Sequence, residues 1–199
     1  IGRAGRPQFD TSAVAVIMTQ NSTKNLYNNL VSGTQIIESN IHHNLTEHLN
    51  SEIVLKTLTH VKTATQWMTS LFLYVRITKN PTRYGLPPNV SPNQIKEFLQ
   101  NAVMNGINSL RELNFISFSP DGTISPTESG SLMARFYISF NTMKTFSQLK
   151  GDESLNELIG IIAASYEFSD VQLRVQEKNS LNLLNKNKNG PIVRYPFKD

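Results

Sequence analysis

Ser91-Pro92-Asn93-Gln94-Ile95 opens, and Phe115-Ile116-Ser117-Phe118-Ser119-Pro120-Asp121-Gly122-Thr123-Ile124-Ser125 closes, the stretch that decides the fold. Ser91 before Pro92 marks a helix start. A serine can cap the first amides, and proline lacks the donor that a first turn leaves unused. Ile95, Phe98, Leu99, Ala102, Val103, Ile107, Leu110 and Leu113 then keep helical spacing and place an apolar stripe along one side. Asp121-Gly122 between two short strand-like runs predicts a hairpin, because glycine reaches the positive φ that tight turns require. Several helices ending in a β-hairpin describe a winged helix.

Outward from that stretch the pattern stays mainly helical. From Tyr27 the period is that of a helix, with Ile37, Ile41, Leu45 and Leu49 recurring every four residues. Asn50-Ser51 predicts the cap of a second helix carrying Ile53, Val54 and Leu58. A third, from about Thr63, presents Ala64, Trp67, Met68, Leu71, Tyr74 and Val75, and Asn80-Pro81 stops it. Downstream, Thr127-Glu128-Ser129-Gly130 opens a helix with Leu132, Met133, Phe136, Tyr137, Phe140 and Met143 on one side. Leu155, Leu158, Ile159 and Ile162 form another; Val171 to Leu184 reads as one or two short helical pieces, and Asn185 to Gly190 as a loose polar end. At the front, Ala13 to Thr19 is a Val- and Ile-rich apolar run, which predicts a buried strand of a parallel sheet.

The chain has 199 residues, 39% hydrophobic and 17% charged, which fits folded domains and not a disordered tail. A formal net charge of +4 permits a nucleic-acid partner without demanding one. The absence of cysteine excludes a disulfide framework and any cysteine-ligated zinc or iron–sulfur site. No apolar run approaches the ~20 residues needed to span a bilayer, and no signal peptide is present. A soluble, intracellular protein with no membrane partner is the expectation.

The first ten residues, Ile1-Gly2-Arg3-Ala4-Gly5-Arg6-Pro7-Gln8-Phe9-Asp10, carry two arginines, each directly after a glycine. Arginine presents a rigid, permanently charged fork of donors suited to phosphate oxygens, and the glycines allow a tight backbone between them. On residues alone this is a candidate phosphate clamp or a solvated basic loop. The longer run GRAGRPQFD followed by Ala13-Val14-Ala15-Val16-Ile17-Met18 resembles the last motif of the superfamily-two DExH-box helicases. More narrowly it resembles the branch whose motor is followed by a winged helix and a Sec63-type helical domain. EHLNSEIVLKTLTHVKTATQW, LYVRITKNPTRYG, SGSLMARFYISF and VQLRVQEKNSLNLLN extend that resemblance over nearly the whole chain.

The resemblance implies a fold class and a division. The chain is mainly α: residues 1–24 end a second RecA-like motor lobe with one strand, 25–126 form a winged helix with a hairpin wing, and 127–199 begin a Sec63-type helical bundle. It implies Arg6 as the arginine finger and Arg3 as its partner on the ATP phosphates, with Gly2 and Gly5 supplying the turn. Such a finger stabilises charge on the transferred phosphoryl group and is worth roughly a thousandfold or more in rate. It further implies ATP-driven, 3′-to-5′ unwinding of DNA, acting on meiotic recombination intermediates in the nucleus, with single-stranded and branched DNA as partners. Nothing matches GxxxxGK[ST] and no Asp-Glu-x-His run is present. ATP and Mg are therefore expected to be held mainly by residues outside this sequence, which reads as part of a larger protein and is expected to be inactive alone. An RNA helicase of the spliceosomal cousin type and a motor-less winged-helix DNA-binding module stay open as rival readings.

Other residues read more simply. His42, His43, His48 and His60 lack acidic partners at metal-ligand spacing and are expected on the surface or at caps. Trp67 and Tyr74 fall on an apolar face and are expected in the core, while Tyr84 anchors a loop. Asn93, Gln94, Lys96, Gln100, Asn101, Asn105, Asn108 and Arg111 give the long helix an outer face that is polar but hardly basic, and Glu97 and Glu112 lie on it too. Arg76, Lys79 and Arg83 form one small basic cluster, and Lys186, Lys188, Arg194 and Lys198 another.

Overall fold

A computed structural model describes residues 4–6, 8–34, 36–172, 174 and 176–186. Residues 1–38 and 39–199 form two compact units. In the first, a 3₁₀ turn at Asn21–Thr23 leads into α1 (Lys24–Val31), which buries none of its residues. Ala13 to Thr19 takes no regular structure and is exposed throughout, with Val14 at 87% and Met18 at 93%. A strand needs neighbours to take its N–H and C=O groups. Among the described residues the only sheet is a two-stranded hairpin in the other unit, so the run has the composition of a sheet core without a sheet.

The second unit starts with a 3₁₀ turn at Ile41–Asn44 and α2 (Leu45–Val54), whose Leu45, Leu49 and Ile53 are buried at four-residue spacing. Ile37 lies outside this helix and is exposed. The expected break at Asn50-Ser51 does not occur. Asn50 sits inside α2, fully buried, because its side-chain amide donates to the Gly130 carbonyl at 2.8 Å and so offsets the cost of burying a polar group. The helix instead stops before Lys56, which is left-handed at φ 61° and leaves Leu58 to the core from outside the helix.

The third predicted helix divides into α3 (Val61–Ser70) and α4 (Phe72–Lys79) at Leu71, whose ψ of 154° is extended. The apolar spacing explains the break. Ala64 and Met68 are buried on α3, and Leu73 and Ile77 on α4. In one straight helix Leu73 would sit about 140° around the axis from Met68, so the extended residue turns the second pair back to the core. Pro81–Tyr84 then forms a 3₁₀ turn. Tyr84 is buried, and its hydroxyl accepts from the Ser39 amide at 3.0 Å, which makes it the expected loop anchor. Trp67 and Tyr74 pack half-buried against the core.

α5 (Pro92–Glu112) follows the reading residue for residue at its start. Ser91 Oγ accepts from the Gln94 amide and Gln94 Oε1 accepts from the Ser91 amide, a reciprocal cap. Ile95, Leu99, Val103, Ile107 and Leu110 are buried along one side. β1 (Ile116–Phe118) pairs antiparallel with β2 (Ile124–Pro126), Ser117 opposite Ser125. The Ile124 amide donates to the Thr59 carbonyl at 2.7 Å and ties this wing to the segment before α3.

α6 (Glu128–Phe136) is capped by Thr127, and the predicted long helix ends early because Tyr137 turns left-handed at φ 54°. α7 (Phe140–Phe146), α8 (Leu155–Ala163) and α9 (Glu177–Lys186) follow. Leu155 and Ile162 of α8 are exposed, and that helix buries no residue. The polar end expected at Asn185 to Gly190 lies outside the described residues from 187 onward.

A seam joins α2 to these later helices. Gly130 is buried, and a Cβ there would run into the Phe115 carbonyl oxygen and lie 3.0 Å from Asn50 Oδ1. Glu47 of α2 accepts from the Phe140 amide at 3.0 Å. Glu167 accepts from the preceding Ser139 amide at 2.7 Å and from the Thr142 hydroxyl. Two carboxylates thus hold consecutive amides at the start of α7, the end of a helix that favours negative charge. Burial acts to raise the Glu167 pKa, but the Ser139 amide and Thr142 hydroxyl outweigh it and hold the group below its ordinary value.

Two outcomes follow from the seam. Gly130→Ala forces backbone apart and destabilises the chain by about 3 kcal/mol, read as a lower urea midpoint with an unchanged m-value. A lowered folded-state pKa means that Glu167 contributes fully above its unfolded pKa, and loses that contribution as pH falls through the folded one. Wild type therefore loses more stability on going from about pH 5 to pH 3 than Glu167→Gln does, measured by urea unfolding at each pH.

Candidate functional site

The front loop is built on Gly5, whose φ of +79° is left-handed; a Cβ there would lie 2.8 Å from Ala13 Cβ. Glycine is thus required twice over, by conformation and by space. The Phe9 and Asp10 amides donate to the Arg6 carbonyl at 2.9 and 2.8 Å, closing a turn just after the arginine. Asp10 Oδ2 accepts from the Arg6 amide at 2.7 Å and from Arg6 Nε at 3.5 Å. The guanidinium carbon lies 5.3 Å from the centre of the Phe9 ring, a cation–π distance.

Arg6 is held but not spent. Its side chain is 75% exposed, and an ion pair this open is worth about 0–1 kcal/mol. The guanidinium can exchange Asp10 for a phosphate oxygen at little cost, and its donors suit that acceptor. The residues fit a phosphate ligand in this respect. Gly2 and Arg3 lie outside the described residues, so their places relative to Arg6 are not part of this geometry.

Elsewhere the structure sorts the other candidates. The outer positions of α5, from Asn93 through Lys96, Gln100 and Asn105 to Arg111, are all exposed, and Arg111 stacks over Phe118 of the wing at 5.3 Å. Lys96 and Arg111 are the cations of that face, set beside Glu97 and Glu112, which is thin for a phosphate-bound surface. Arg76 is half-buried, whereas Lys79 and Arg83 are exposed. Of the tail cluster, Lys188, Arg194 and Lys198 lie outside the described residues, as does the side chain of Lys186.

The histidines assemble no metal site. The His42 and His43 rings lie 3.9 Å apart, tilted by 38°, and His60 bonds the hydroxyls of Thr59 and Thr123. Burial, then the neighbouring His43, pushes the His42 pKa below its ordinary value. Among the described residues no group of three or more His, Asp or Glu could hold a metal ion, and no helix is long and apolar enough to cross a membrane. Sequence reasoning missed Asn50, Glu47 and Glu167. Asn50 carried a signal that pointed elsewhere, to a cap, and the two glutamates carried none because their partners are backbone amides far along the chain.

Comparison with known proteins adds to this geometry. Residues 38–119 match the Winged Helix-turn-helix domain and residues 126–199 the Sec63 Brl domain. Over 197 residues the chain is 48% identical to the Probable ATP-dependent DNA helicase HFM1 of Xenopus tropicalis, covering 99% of this chain and 15% of that protein. It is 39% identical over 203 residues to the ATP-dependent DNA helicase MER3 of Saccharomyces cerevisiae, covering 99% of this chain and 16% of the relative. To the U5 small nuclear ribonucleoprotein 200 kDa helicase of Drosophila melanogaster it is 33% identical over 187 residues, 94% of this chain and 9% of the relative. The chain therefore spans about a sixth or less of the relatives it matches.

Proposed function

We propose, from the winged-helix and Sec63 matches and the 48% identity to a relative named as a DNA helicase, that this chain is the junction of an ATP-dependent 3′-to-5′ DNA helicase of the DExH-box branch. It would join the end of a second motor lobe, in residues 1–24, to a winged helix and the opening of the helical domain. Its substrates would be single-stranded and branched DNA of meiotic recombination, in the nucleus. The observation that carries this reading is the identity of up to 48% across 99% of the chain with proteins named as ATP-dependent DNA helicases. The spliceosomal-type relative stands lower, at 33%, which favours DNA over RNA.

ATP, with Mg, supplies the phosphoryl group whose transfer drives such motors. This chain contributes donors. Arg6 offers its exposed guanidinium to phosphate oxygens, while Asp10 and Phe9 orient it beforehand so that less freedom is lost on binding. Gly5 lets the backbone turn tightly enough to present that side chain. Arg3 is assigned as the second arginine and Gly2 as its turn residue, because GRAGRPQFD resembles the last motif of these helicases. No magnesium ligand is proposed within the described residues, so the metal falls to the rest of the protein.

The test uses the intact protein. Arg6→Ala is expected to lower DNA-stimulated ATPase kcat by roughly a thousandfold and to abolish unwinding, with the melting temperature unchanged, since the removed contacts are exposed. Arg3→Ala should act in the same direction. Stimulation is measured with DNA and with RNA; wild-type turnover in both variants would remove the assigned roles, and stronger stimulation by RNA would move the protein to the cousin branch.

A further inference from the structure

Charge is unevenly spread along the chain. Between residues 53 and 96 stand six cationic side chains, Lys56, Lys62, Arg76, Lys79, Arg83 and Lys96, and no Asp or Glu. The whole chain has 19 cations and 15 acids, so the remainder holds 13 against 15 and is net acidic. All of the net positive charge therefore belongs to α3, α4, the 3₁₀ turn after them and the flanking loops. Helix-end electrostatics account for part of it, since Arg76 and Lys79 lie in the last turn of α4. They do not account for Lys62, which stands in the first turn of α3, where a cation is disfavoured. Lys62, Lys79 and Arg83 are exposed, with no carboxylate in ion-pair distance among the described residues. Arg76 is half-buried and already engaged. α4 adds an apolar part to this face. Leu73 and Ile77 are buried, and the helix pitch puts Phe72, Val75 and Lys79 together on the opposite side. Phe72 is 52% and Val75 45% exposed. The extended Leu71 that returns Leu73 and Ile77 to the core also turns this trio outward, and Arg83 follows in the turn packed on α4.

We propose that the outer face of α4 and the turn after it bind a single strand of DNA, with phosphates on Lys79 and Arg83 and a base against Phe72. The complement of a cationic face with no acid in its sequence is a polyanion. An exposed ring set among cations suits a base plane, and only an unpaired strand offers that plane. Two apolar side chains are too few for the apolar centre of a specific protein interface, which buries on the order of 800 Å² per partner. The face differs from the outer side of α5, where Lys96 and Arg111 sit beside Glu97 and Glu112. Strand contact thus falls on the helix pair before the long helix and not on the helix that reads a groove in other winged helices. The choice of DNA as the polyanion rests on the helicase reading, while the face itself rests on charge and exposure.

The test is fluorescence anisotropy of the 199-residue chain with a labelled oligothymidylate of about 15 nucleotides, repeated over a range of salt. Lys79→Gln combined with Arg83→Gln is expected to weaken binding about tenfold and to reduce the slope of log affinity against log salt by about 1.4, two phosphates at roughly 0.7 each. The melting temperature should not change, because both side chains are exposed. Phe72→Ala should weaken binding severalfold with that slope kept, and Phe72→Trp should restore it. Unchanged affinity in the double variant, or an equal loss from Lys96→Gln with Arg111→Gln, would overturn the face. Equally tight binding of a polyglutamate peptide would overturn the strand as its occupant in favour of an acidic protein. In the intact protein, Phe72→p-benzoylphenylalanine should crosslink to the oligothymidylate under light; crosslinks confined to protein would show the face covered and overturn the proposal. The turnover of the Arg6 variants, which tests the helicase reading, is independent of every one of these results.

Discussion

One buried polar contact governs the arrangement of the second unit: the Asn50 side-chain amide on the Gly130 carbonyl, 2.8 Å apart. An amide in an apolar interior is costly unless paired, and its pairing is directional, so it fixes where α6 begins relative to α2. Glycine at 130 is the other half of the constraint. Without a Cβ, the first turn of α6 can lie directly on the Phe115 carbonyl at the base of the wing. Three elements meet there, α2, the start of the hairpin and α6. The matched winged-helix and Sec63 segments are consequently continuous through a packed contact and not merely through the chain that links them.

The rest of the seam follows from that placement. With α6 fixed, Tyr137 turns the chain sharply, and α7 starts where Glu47 and Glu167 can take its first amides. The carboxylates complement the positive end of the helix, yet they bring two negative charges into one concave place. The cavity lined by Glu47 and Glu167 therefore lies between the two matched segments.

Local chemistry made some elements legible. Ser91-Pro92, Asp121-Gly122 and Asn80-Pro81 name their own structures because capping, turn formation and chain stopping depend on neighbours in sequence. Periodicity found the buried faces of α2 and α5 and the length of α5, but overran the start of α2. At Leu71 and Tyr137 an unremarkable residue breaks a helix because the core on either side demands a different phase, which no local pattern records. Asn50 shows the limit most clearly: an asparagine before a serine reads as a cap, and only a carbonyl 80 residues away explains its burial. At the front, the Ala13 to Thr19 run reads as a strand from composition alone, while strand formation depends on partners. Arg6 was legible as a candidate because its chemistry is carried by the residue type; its hold on Asp10 and Phe9 needed the structure.

The central claim is that the winged helix and the helices after it unfold as one body because of the Asn50–Gly130 seam. Native-state hydrogen exchange on the chain tests it most directly, comparing Val103 and Ile107 of α5 with Met133 and Ala134 of α6 in rising denaturant. The account predicts that all four open with the same free energy and the same denaturant slope. Exchange of the α6 amides through a cheaper, shallower opening that leaves α5 protected would contradict it.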